Sequence, residues 1–156
     1  MSLINFHNAL TFTLTFEGDK SNNPKDPGGK TRKGITQRTY SAWRKKNGQT
    51  DKDVFSITDQ EVAIIYQHDY WDAIGASSLP SGVDLLSFDI AVNMGPGRAN
   101  QWLTTTKLLA PKDRLKALDA QRLGFWRHLR IFSTFGRGWL RRETACLALA
   151  KTLVAK

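Results

Sequence analysis

The spacing of apolar residues predicts helices along most of the chain. Residues 3–17 carry apolar side chains near helical spacing, and Gly18 is a typical stop signal for this first helix. A second helical pattern begins near Thr36 and continues to Gly48. Thr58 followed by Glu61 has the spacing of a capping box and predicts the start of a third helix. The apolar face of that helix carries Val62, Ile65, Tyr66 and Tyr70.

The second half of the chain continues this helical pattern. The segment VDLLSFDIAVNMG, residues 83–95, is apolar nearly all round and therefore predicts a buried central helix. Breaks precede it at Leu79–Gly82 and follow it at Gly95–Gly97. Three further helices are predicted at about 98–109, 112–130 and 138–154. No alternating run is long enough to indicate a convincing strand, so we predict a mainly α single domain of six or seven helices.

A polar stretch rich in Pro and Gly separates the first two helices. Its sequence, DKSNNPKDPGGKTRKG at residues 19–34, contains Asn-Pro, Asp-Pro and Gly-Gly pairs that cannot sustain a helix. We predict a long loop or an irregular hairpin here. Gly28 and Gly29 would let the backbone approach a ligand closely.

Composition and charge narrow the class of protein. A length of 156 residues fits one domain with a single core, and one cysteine excludes an intrachain disulfide. The net charge of +9 favours a polyanionic partner such as nucleic acid, anionic lipid or the bacterial envelope. Ten Lys or Arg fall within residues 20–52 and none within 53–97, although each basic cluster is equally compatible with a solvated helix face.

The N-terminal segment has neither the basic start of a signal peptide nor an uninterrupted apolar run. We expect a soluble protein without stable membrane insertion. A target outside the cytoplasm would require another route of delivery.

Glu17 is the first candidate for chemistry. It shares the apolar face of the first helix with Leu10 and Leu14, and it lies at the end where the helix dipole disfavours a negative charge. Partial burial would add to this effect, and both favour the protonated carboxyl that a general acid requires. The alternative is a structural glutamate at a helix end.

The loop supplies candidates for a second catalytic group. Glycosidic cleavage usually needs a second carboxylate, and Asp26 lies nine residues after Glu17. Asp26 precedes a proline, so a role in capping its own turn is the alternative, and Asp19 is a nearer carboxylate. Thr31 and Thr36 offer hydroxyls that could position a water or a sugar.

The segment FEGDKSNNPKDPGGKTRKGIT closely resembles the opening motif of glycoside hydrolase family 108. That family comprises muramidases among phage endolysins and bacterial secretion-associated cell-wall hydrolases. The matching positions are Glu17-Gly18, Asn23-Pro24, Asp26-Pro27-Gly28-Gly29, Thr31 and Gly34-Ile35-Thr36. Asp19 departs from the pattern, since the family usually has a second glycine there. Later matches include Tyr70-Trp71, Leu79-Pro80, residues 88–95, Gly138-Trp139 and Arg141-Arg142.

The resemblance implies one lysozyme-like domain with a catalytic lobe at 1–75, holding Glu17 and loop 18–36, and a helical lobe at 76–156. The second lobe is similar to a region that is often labelled a predicted peptidoglycan-binding module. By resemblance Glu17 is the catalytic glutamate. The implied reaction is hydrolysis of the β-1,4 bond between N-acetylmuramic acid and N-acetylglucosamine in peptidoglycan. A lytic transglycosylase acting on the same bond is the alternative, and it would use one carboxylate and no attacking water.

Four further residues are candidates for binding substrate. Tyr70 and Trp71 could stack on sugars, although aromatic residues at helical spacing are more often part of a core. Asp89 and Asn93 lie on one stripe of the predicted central helix. They could bind sugar hydroxyls or pair internally with an arginine such as Arg98 or Arg122.

Other classes of function have less support. His7, His68 and His128 are far apart in sequence and lack metal-ligand spacing, so we expect no metal and no cofactor. The basic residues surround an Asp/Pro/Gly loop instead of one clean recognition helix, so we expect no nucleic-acid partner, although such a module remains an alternative. A wall-binding protein without catalysis is a third hypothesis. We expect a monomer.

Overall fold

The computed structural model describes residues 2–22 and 29–154, with side chains from Ile4 onward. These ranges contain seven α-helices and one small antiparallel sheet, which confirms the prediction of a mainly α protein. The helices are α1 (Ser2–Leu14), α2 (Gln37–Lys46), α3 (Asp59–Tyr66), α4 (Val83–Met94), α5 (Pro96–Thr105), α6 (Pro111–Arg127) and α7 (Phe132–Val154). The strands are β1 (Lys20–Ser21), β2 (Thr31–Arg32) and β3 (Ile35–Thr36), in the order β1-β2-β3.

The chain divides into two compact units. The hairpin unit is the continuous segment Leu10–Gln67, which holds the sheet, α2 and α3. The helical unit combines Met1–Ala9 with His68–Lys156 and holds α4 to α7. Helix α1 therefore contributes its first residues to the helical unit and its last residues to the hairpin unit.

Helix α1 ends earlier than its apolar spacing indicates. Its α-helical geometry stops at Leu14, whereas the sequence predicts helix to residue 17. The amides of Thr15 and Phe16 bond the carbonyls three residues back, each at 3.0 Å, so the last turn tightens. Glu17 follows this turn and lies outside the helix.

Side-chain caps fix the helix starts of the hairpin unit. Thr36 caps α2 by accepting a hydrogen bond from the Thr39 amide at 3.1 Å. The predicted capping box at the start of α3 is confirmed, since Thr58 and Glu61 each bond the other's backbone amide. The Glu61 carboxylate also accepts from Arg44 at 2.8 Å. Burial opposes its charge, but the bonds from Thr58 and Tyr40 and the charge of Arg44 hold the pKa of Glu61 below its ordinary value.

Helix α4 is the centre of the helical unit. It packs against α5, α6 and α7, and its residues from Val83 to Ala91 are all buried, as its mostly apolar sequence predicts. Phe88 and Ile90 are fully buried. Each such side chain contributes about 1.5–3 kcal/mol relative to an exposed position. In the described ranges no helix combines the length and the apolarity needed to cross a bilayer.

Both ends of the chain pack against the start of α4. Asn5 of α1 donates a hydrogen bond to the Asp84 carboxylate at 2.7 Å. Gly82, which precedes α4, has φ +86°, and a Cβ there would overlap the carbonyl of Ala150 and lie 2.7 Å from Val154 Cγ2. Only glycine therefore lets the last turns of α7 approach this closely.

Two helix starts differ from the sequence prediction. The Gly95–Gly97 break is only a corner, because α5 begins at Pro96 directly after Gly95, whose φ is +89°. Helix α7 begins at Phe132, six residues before the predicted 138, and runs through Gly136. A Cβ at Gly136 would lie 2.8 Å from the Phe132 ring, so the ring occupies the space that a side chain would fill.

A buried ionic cluster joins α4, α6 and α7. Asp89 accepts hydrogen bonds from Arg122 at 2.9 Å and from Arg142 at 2.8 Å, and Arg122 also donates to Glu143 at 2.6 Å. The side chains of Asp89 and Arg122 are both 0% exposed. Burial opposes the charge of Asp89, but the two arginines hold its pKa below the ordinary value. Burial and the neighbouring Asp119 raise the pKa of Glu143 to about 7, against the opposing effect of Arg122.

The raised pKa of Glu143 predicts that stability falls as the pH rises from about 4.5 to about 7. In this window folded Glu143 retains a proton that it loses in the unfolded chain, so the folded state binds more protons and rising pH favours unfolding. At pH values above the folded pKa of Glu143, the stability lost through this one group approaches about 3 kcal/mol.

Denaturant unfolding of wild type and Glu143→Gln across this pH range measures the effect. The amide mimics the protonated carboxyl, so the variant should lose less stability than wild type as the pH rises. Equal pH dependence of the two proteins would show that Glu143 is not the group responsible.

Candidate active site around Glu17

A tight hairpin forms the centre of the candidate site. Strands β2 and β3 pair in antiparallel register with Arg32 opposite Ile35, which leaves Lys33 and Gly34 as a two-residue turn. Both turn residues have positive φ, +48° for Lys33 and +76° for Gly34. This is the combination that a type I′ hairpin turn requires, and it explains the glycine at position 34.

The side chains of Glu17 and Tyr66 converge on the backbone of Gly34. A Cβ built on Gly34 would lie 3.1 Å from Glu17 Oε2 and would overlap Tyr66 Oη. The Tyr66 hydroxyl donates a hydrogen bond to the Lys33 carbonyl at 2.9 Å, which ties α3 to the turn. Glu17 is half-buried and Tyr66 is buried. The turn therefore supports a carboxyl group that is packed on one side and retains some exposure to solvent.

Tyr66 and Gly34 are the site residues that sequence reasoning missed. Tyr66 falls in the apolar stripe of α3, where a tyrosine is expected to fill the core, and its hydroxyl is the only hint of another role. Gly34 is a motif residue, but its contact with Glu17 is visible only after residues 17, 34 and 66 are brought together by folding.

Thr31 and Thr36 lie directly opposite each other on β2 and β3. Opposed residues of an antiparallel pair point to the same face of the sheet, so the two predicted site threonines are neighbours. The Thr31 hydroxyl donates to the Gly29 carbonyl at 3.1 Å, and the Thr36 hydroxyl caps α2. Both hydroxyls therefore have local structural partners, and both side chains are half-buried.

Asp26 and Asp19 are the two candidates for a second carboxylate. Asp26 lies outside the described residues, between β1 and β2. The Asp19 side chain is 72% exposed, and its Oδ1 lies 3.7 Å from Nε of Arg32. Its backbone carbonyl accepts a hydrogen bond from the Lys33 amide at 2.9 Å, so Asp19 also helps to hold the turn.

Basic residues of the hairpin bind carboxylates and carbonyls of the segment after α2. Lys33 pairs with Asp59 at 2.5 Å, and its hydrogen bond lowers the pKa of that carboxyl. Lys30 forms an ion pair with Asp53 and lowers its pKa in the same way. Arg32 donates to the carbonyl of Ile57 at 3.2 Å. These three cations thus fasten the hairpin to residues 53–59, a use of the basic cluster that its sequence did not reveal.

The four substrate-binding candidates lie in the helical unit. Trp71 is 1% exposed, packs edge-on against Phe6 and Phe88, and donates its indole N–H to Ser77 at 2.9 Å. Asp89 forms the internal pair with Arg122 that the sequence left open. Tyr70 is half-buried, and Asn93 is exposed near the end of α4. Trp71 and Asp89 thus have core partners, which leaves Tyr70 and Asn93 as the more accessible of the four.

Comparison with known proteins identifies a family and a similar solved structure. The family model described as Glycosyl hydrolase 108 matches residues 10–95, a range that includes Glu17, Gly34 and Tyr66. The chain is also similar to the solved structure of Brucella abortus SagA. The two are 30% identical, with a TM-score of 0.82, and the alignment covers 97% of this chain and 96% of that chain. A search of curated proteins found no match.

Proposed function

The chain belongs to glycosyl hydrolase family 108, and we propose that it is an N-acetylmuramidase with Glu17 as its general acid. Membership of the family makes it a glycoside hydrolase that degrades peptidoglycan. The proposed bond is the β-1,4 linkage between N-acetylmuramic acid and N-acetylglucosamine. The observation that carries the proposal is the half-buried carboxyl of Glu17 against the Gly34 turn.

In the proposed mechanism Glu17 protonates the oxygen of the leaving sugar as the glycosidic bond breaks. The adjacent sugar then passes through an oxocarbenium-like transition state. Packing against Gly34 limits the rotation of the Glu17 side chain, so its proton can be presented in a fixed direction. Tyr66 acts as a positioning residue, because its bond to the Lys33 carbonyl holds the turn against which the carboxyl rests.

Asp26 is the proposed second carboxylate, with Thr31 or Thr36 helping to orient the attacking water. The pairing of Thr31 with Thr36 across β2 and β3 supports the part assigned to the threonines, because it places their side chains side by side near the Gly34 turn. A carboxylate in this role would activate the water or stabilise the positive charge that develops on the sugar.

Product analysis tests the proposal. Purified peptidoglycan is digested with the protein, and the fragments are identified by mass spectrometry. Hydrolysis as proposed gives reducing muramic acid ends. Anhydromuramic ends would make the enzyme a transglycosylase, and reducing N-acetylglucosamine ends would move the cut to the other linkage. Binding without any new ends would leave a wall-binding protein and overturn the proposal.

We further propose an endolysin role, in which the enzyme reaches the wall from the host cytoplasm once the membrane has been opened. The net charge of +9 supports attraction to the anionic envelope. Expression inside a bacterium should leave cells intact until a pore-forming agent is added, after which they should lyse. Lysis without the agent, or none with it, would contradict this route.

Gly34→Ala should impair both stability and peptidoglycan cleavage. The new methyl group would press on Glu17 and Tyr66, and alanine is strained at φ +76°. The strain alone costs about 1 kcal/mol or more. Displacing the acid should lower the cleavage rate about tenfold or more. Urea unfolding and release of soluble fragments from peptidoglycan measure the two effects.

Gly48→Ala is the matched control. Gly48 has a similar φ of +66°, but nothing lies within 4 Å of a Cβ built there. It should lose comparable stability through backbone strain while keeping wild-type cleavage. Equal cleavage by Gly34→Ala and Gly48→Ala would remove the Gly34 contact from the mechanism.

A further inference from the structure

Helices α6 and α7 leave a groove along their contact. A first cavity of about 300 Å³ is lined by Lys112, Leu115 and Lys116 of α6 and by Lys151 of α7. A second cavity, of about 360 Å³, is lined by the same two helices. Lys151 lines both cavities, so they adjoin. We call the two cavities together the α6–α7 groove, and each has the size of a small-molecule site.

The helical period places the lining residues of each helix on one side of that helix. On α6 they stand at positions 112, 115, 116, 119 and 123, and on α7 at positions 140, 143, 144, 147, 148 and 151. Steps of three, four and seven residues return to the same side of an α-helix. Each helix therefore contributes one continuous stripe, and the two stripes together form the groove.

The basic groups of the groove line its first cavity. They are Lys112, Lys116 and Lys151, and among the described residues no acidic side chain lines this cavity. Lys116 pairs with Asp113 at 3.1 Å, whereas Lys112 and Lys151 form no ion pair in the described part of the chain. The first cavity thus offers positive charge to an anionic group.

The acidic groups of the groove line only its second cavity. Asp119 is half-buried there. The Glu143 side chain is 3% exposed and is already paired with Arg122 at 2.6 Å, so it presents little charge to a ligand. Because Asp119 would repel an anion, the anionic group of a ligand should lie at the lysine end of the groove.

Apolar side chains line the second cavity on both helices. They are Leu123 of α6 and Leu140, Leu147 and Ala148 of α7. Leu140 is 38% exposed and Ala148 is also exposed, so part of this lining is in contact with water. Leu115 continues the apolar lining between the lysines of the first cavity. Contact with an apolar chain would remove this surface from water, which is favourable.

We propose that the α6–α7 groove binds a single-chain anionic lipid of the fatty-acid class. Its carboxylate lies among Lys112, Lys116 and Lys151, and its chain lies along the leucines of the second cavity. From Leu115 to Leu123 the groove runs about 12 Å along α6, which suits a chain of about eight carbons. A small anion would leave the second cavity in water, and a cationic amphiphile would meet the lysines with the wrong charge.

Three probes test the proposal with the full chain. They are octanoate, acetate, which lacks the chain, and octylammonium, which reverses the charge. Octanoate should bind with a dissociation constant of roughly millimolar or below, as measured by amide shifts in NMR titrations. Acetate should bind at least about tenfold more weakly through lost apolar contact, and octylammonium should do the same through charge repulsion.

The shifted amides locate the ligand. In a titration with octanoate they should belong to the facing stripes of α6 and α7. Shifts confined to other elements, or equal affinity for octanoate and either of the other two probes, would overturn the proposal. The measurement needs no peptidoglycan, so its outcome is independent of the proposed cleavage.

Removal of charge from the first cavity should weaken octanoate binding. Lys112→Gln with Lys116→Gln should raise its dissociation constant about fivefold or more. Lys45→Gln with Lys46→Gln on α2 is the matched control, since both lysines are exposed and the net charge changes equally. The control should bind octanoate as wild type does. Equal weakening of both double variants would assign the effect to net charge and overturn the proposal.

Bulk added to the second cavity should block the chain. Ala148→Phe places a ring in the space between the leucines, and octanoate binding should fall about tenfold or more. Ala42→Phe adds the same ring at an exposed position of α2 and should leave binding unchanged. Thermal unfolding of each variant checks that it is folded. Full octanoate binding by folded Ala148→Phe would overturn the proposal.

Discussion

Replacement of Glu17 by glutamine should reduce peptidoglycan cleavage by roughly a hundredfold or more, with little change in stability. The amide has nearly the same shape as the carboxyl, so it can rest against Gly34 in the same place. It has no acidic proton to give to the leaving sugar oxygen. The rate of release of new reducing ends, with denaturant unfolding in parallel, measures both parts of this expectation.

Asp19→Asn is the control for Glu17→Gln. Asp19 is two residues away and also carries a carboxylate, but that group is directed at Arg32 and is largely exposed. Its loss should change cleavage only a few-fold, since an exposed pair of this kind contributes about 0–1 kcal/mol. If both variants lost activity equally, Asp19 would replace Asp26 as the proposed second carboxylate. If Glu17→Gln retained full activity, the proposed mechanism would be wrong.

Replacement of Asp89 by asparagine should be the most destabilising change in the helical unit. It leaves the guanidinium groups of Arg122 and Arg142 in the core without the carboxylate that faces both of them. Breaking a buried ion pair from one side typically costs about 3–5 kcal/mol. For a chain of this size the melting temperature should fall by roughly 10 °C. Calorimetry at neutral pH measures the loss.

Asp113→Asn provides the comparison with an exposed pair. Asp113 bonds Lys116 at 3.1 Å, but both side chains are more than half exposed. Its loss should cost less than about 1 kcal/mol. A kinetic measurement below the melting point also separates the two roles considered for Asp89. An unchanged KM in the folded variant fits the internal ion pair, whereas a raised KM with little loss of stability would restore the sugar-binding role.

Patterns among neighbouring residues were sufficient to predict most of the helices. The Thr58–Glu61 box and the mostly apolar segment of α4 are patterns among residues close in sequence, and both predictions are confirmed. The sheet was harder to predict, because strands of two residues are too short to show alternation. Helix α7 begins earlier than predicted, at Phe132, whose ring lies over Gly136, and helix propensity does not represent this contact.

In the candidate site, too, residues close together in sequence could be predicted and residues brought together by folding could not. The motif around Glu17 and Gly34 could be recognised because its residues are close together in sequence. Tyr66 could not be identified, since its place beside Gly34 depends on how α3 folds back onto the turn. Asp89 could be expected to find a buried partner, and Arg122 was one of the arginines considered. The contribution of Arg142, 53 positions away, emerges only when α4 and α7 are packed together.

The contacts at the start of α4 have a consequence for the order in which the chain folds during synthesis. The hairpin unit is one continuous segment, so all of its residues have been made once Gln67 has been added. In the helical unit, the start of α4 is packed by Asn5 of α1 and by Ala150 and Val154 of α7. During synthesis, therefore, all residues of the hairpin unit are present before the α4 residues that contact the start of α1 have been made. We expect the unit that carries Glu17 to become structured first, and the mostly apolar α4 to stay uncovered until α7 has left the ribosome.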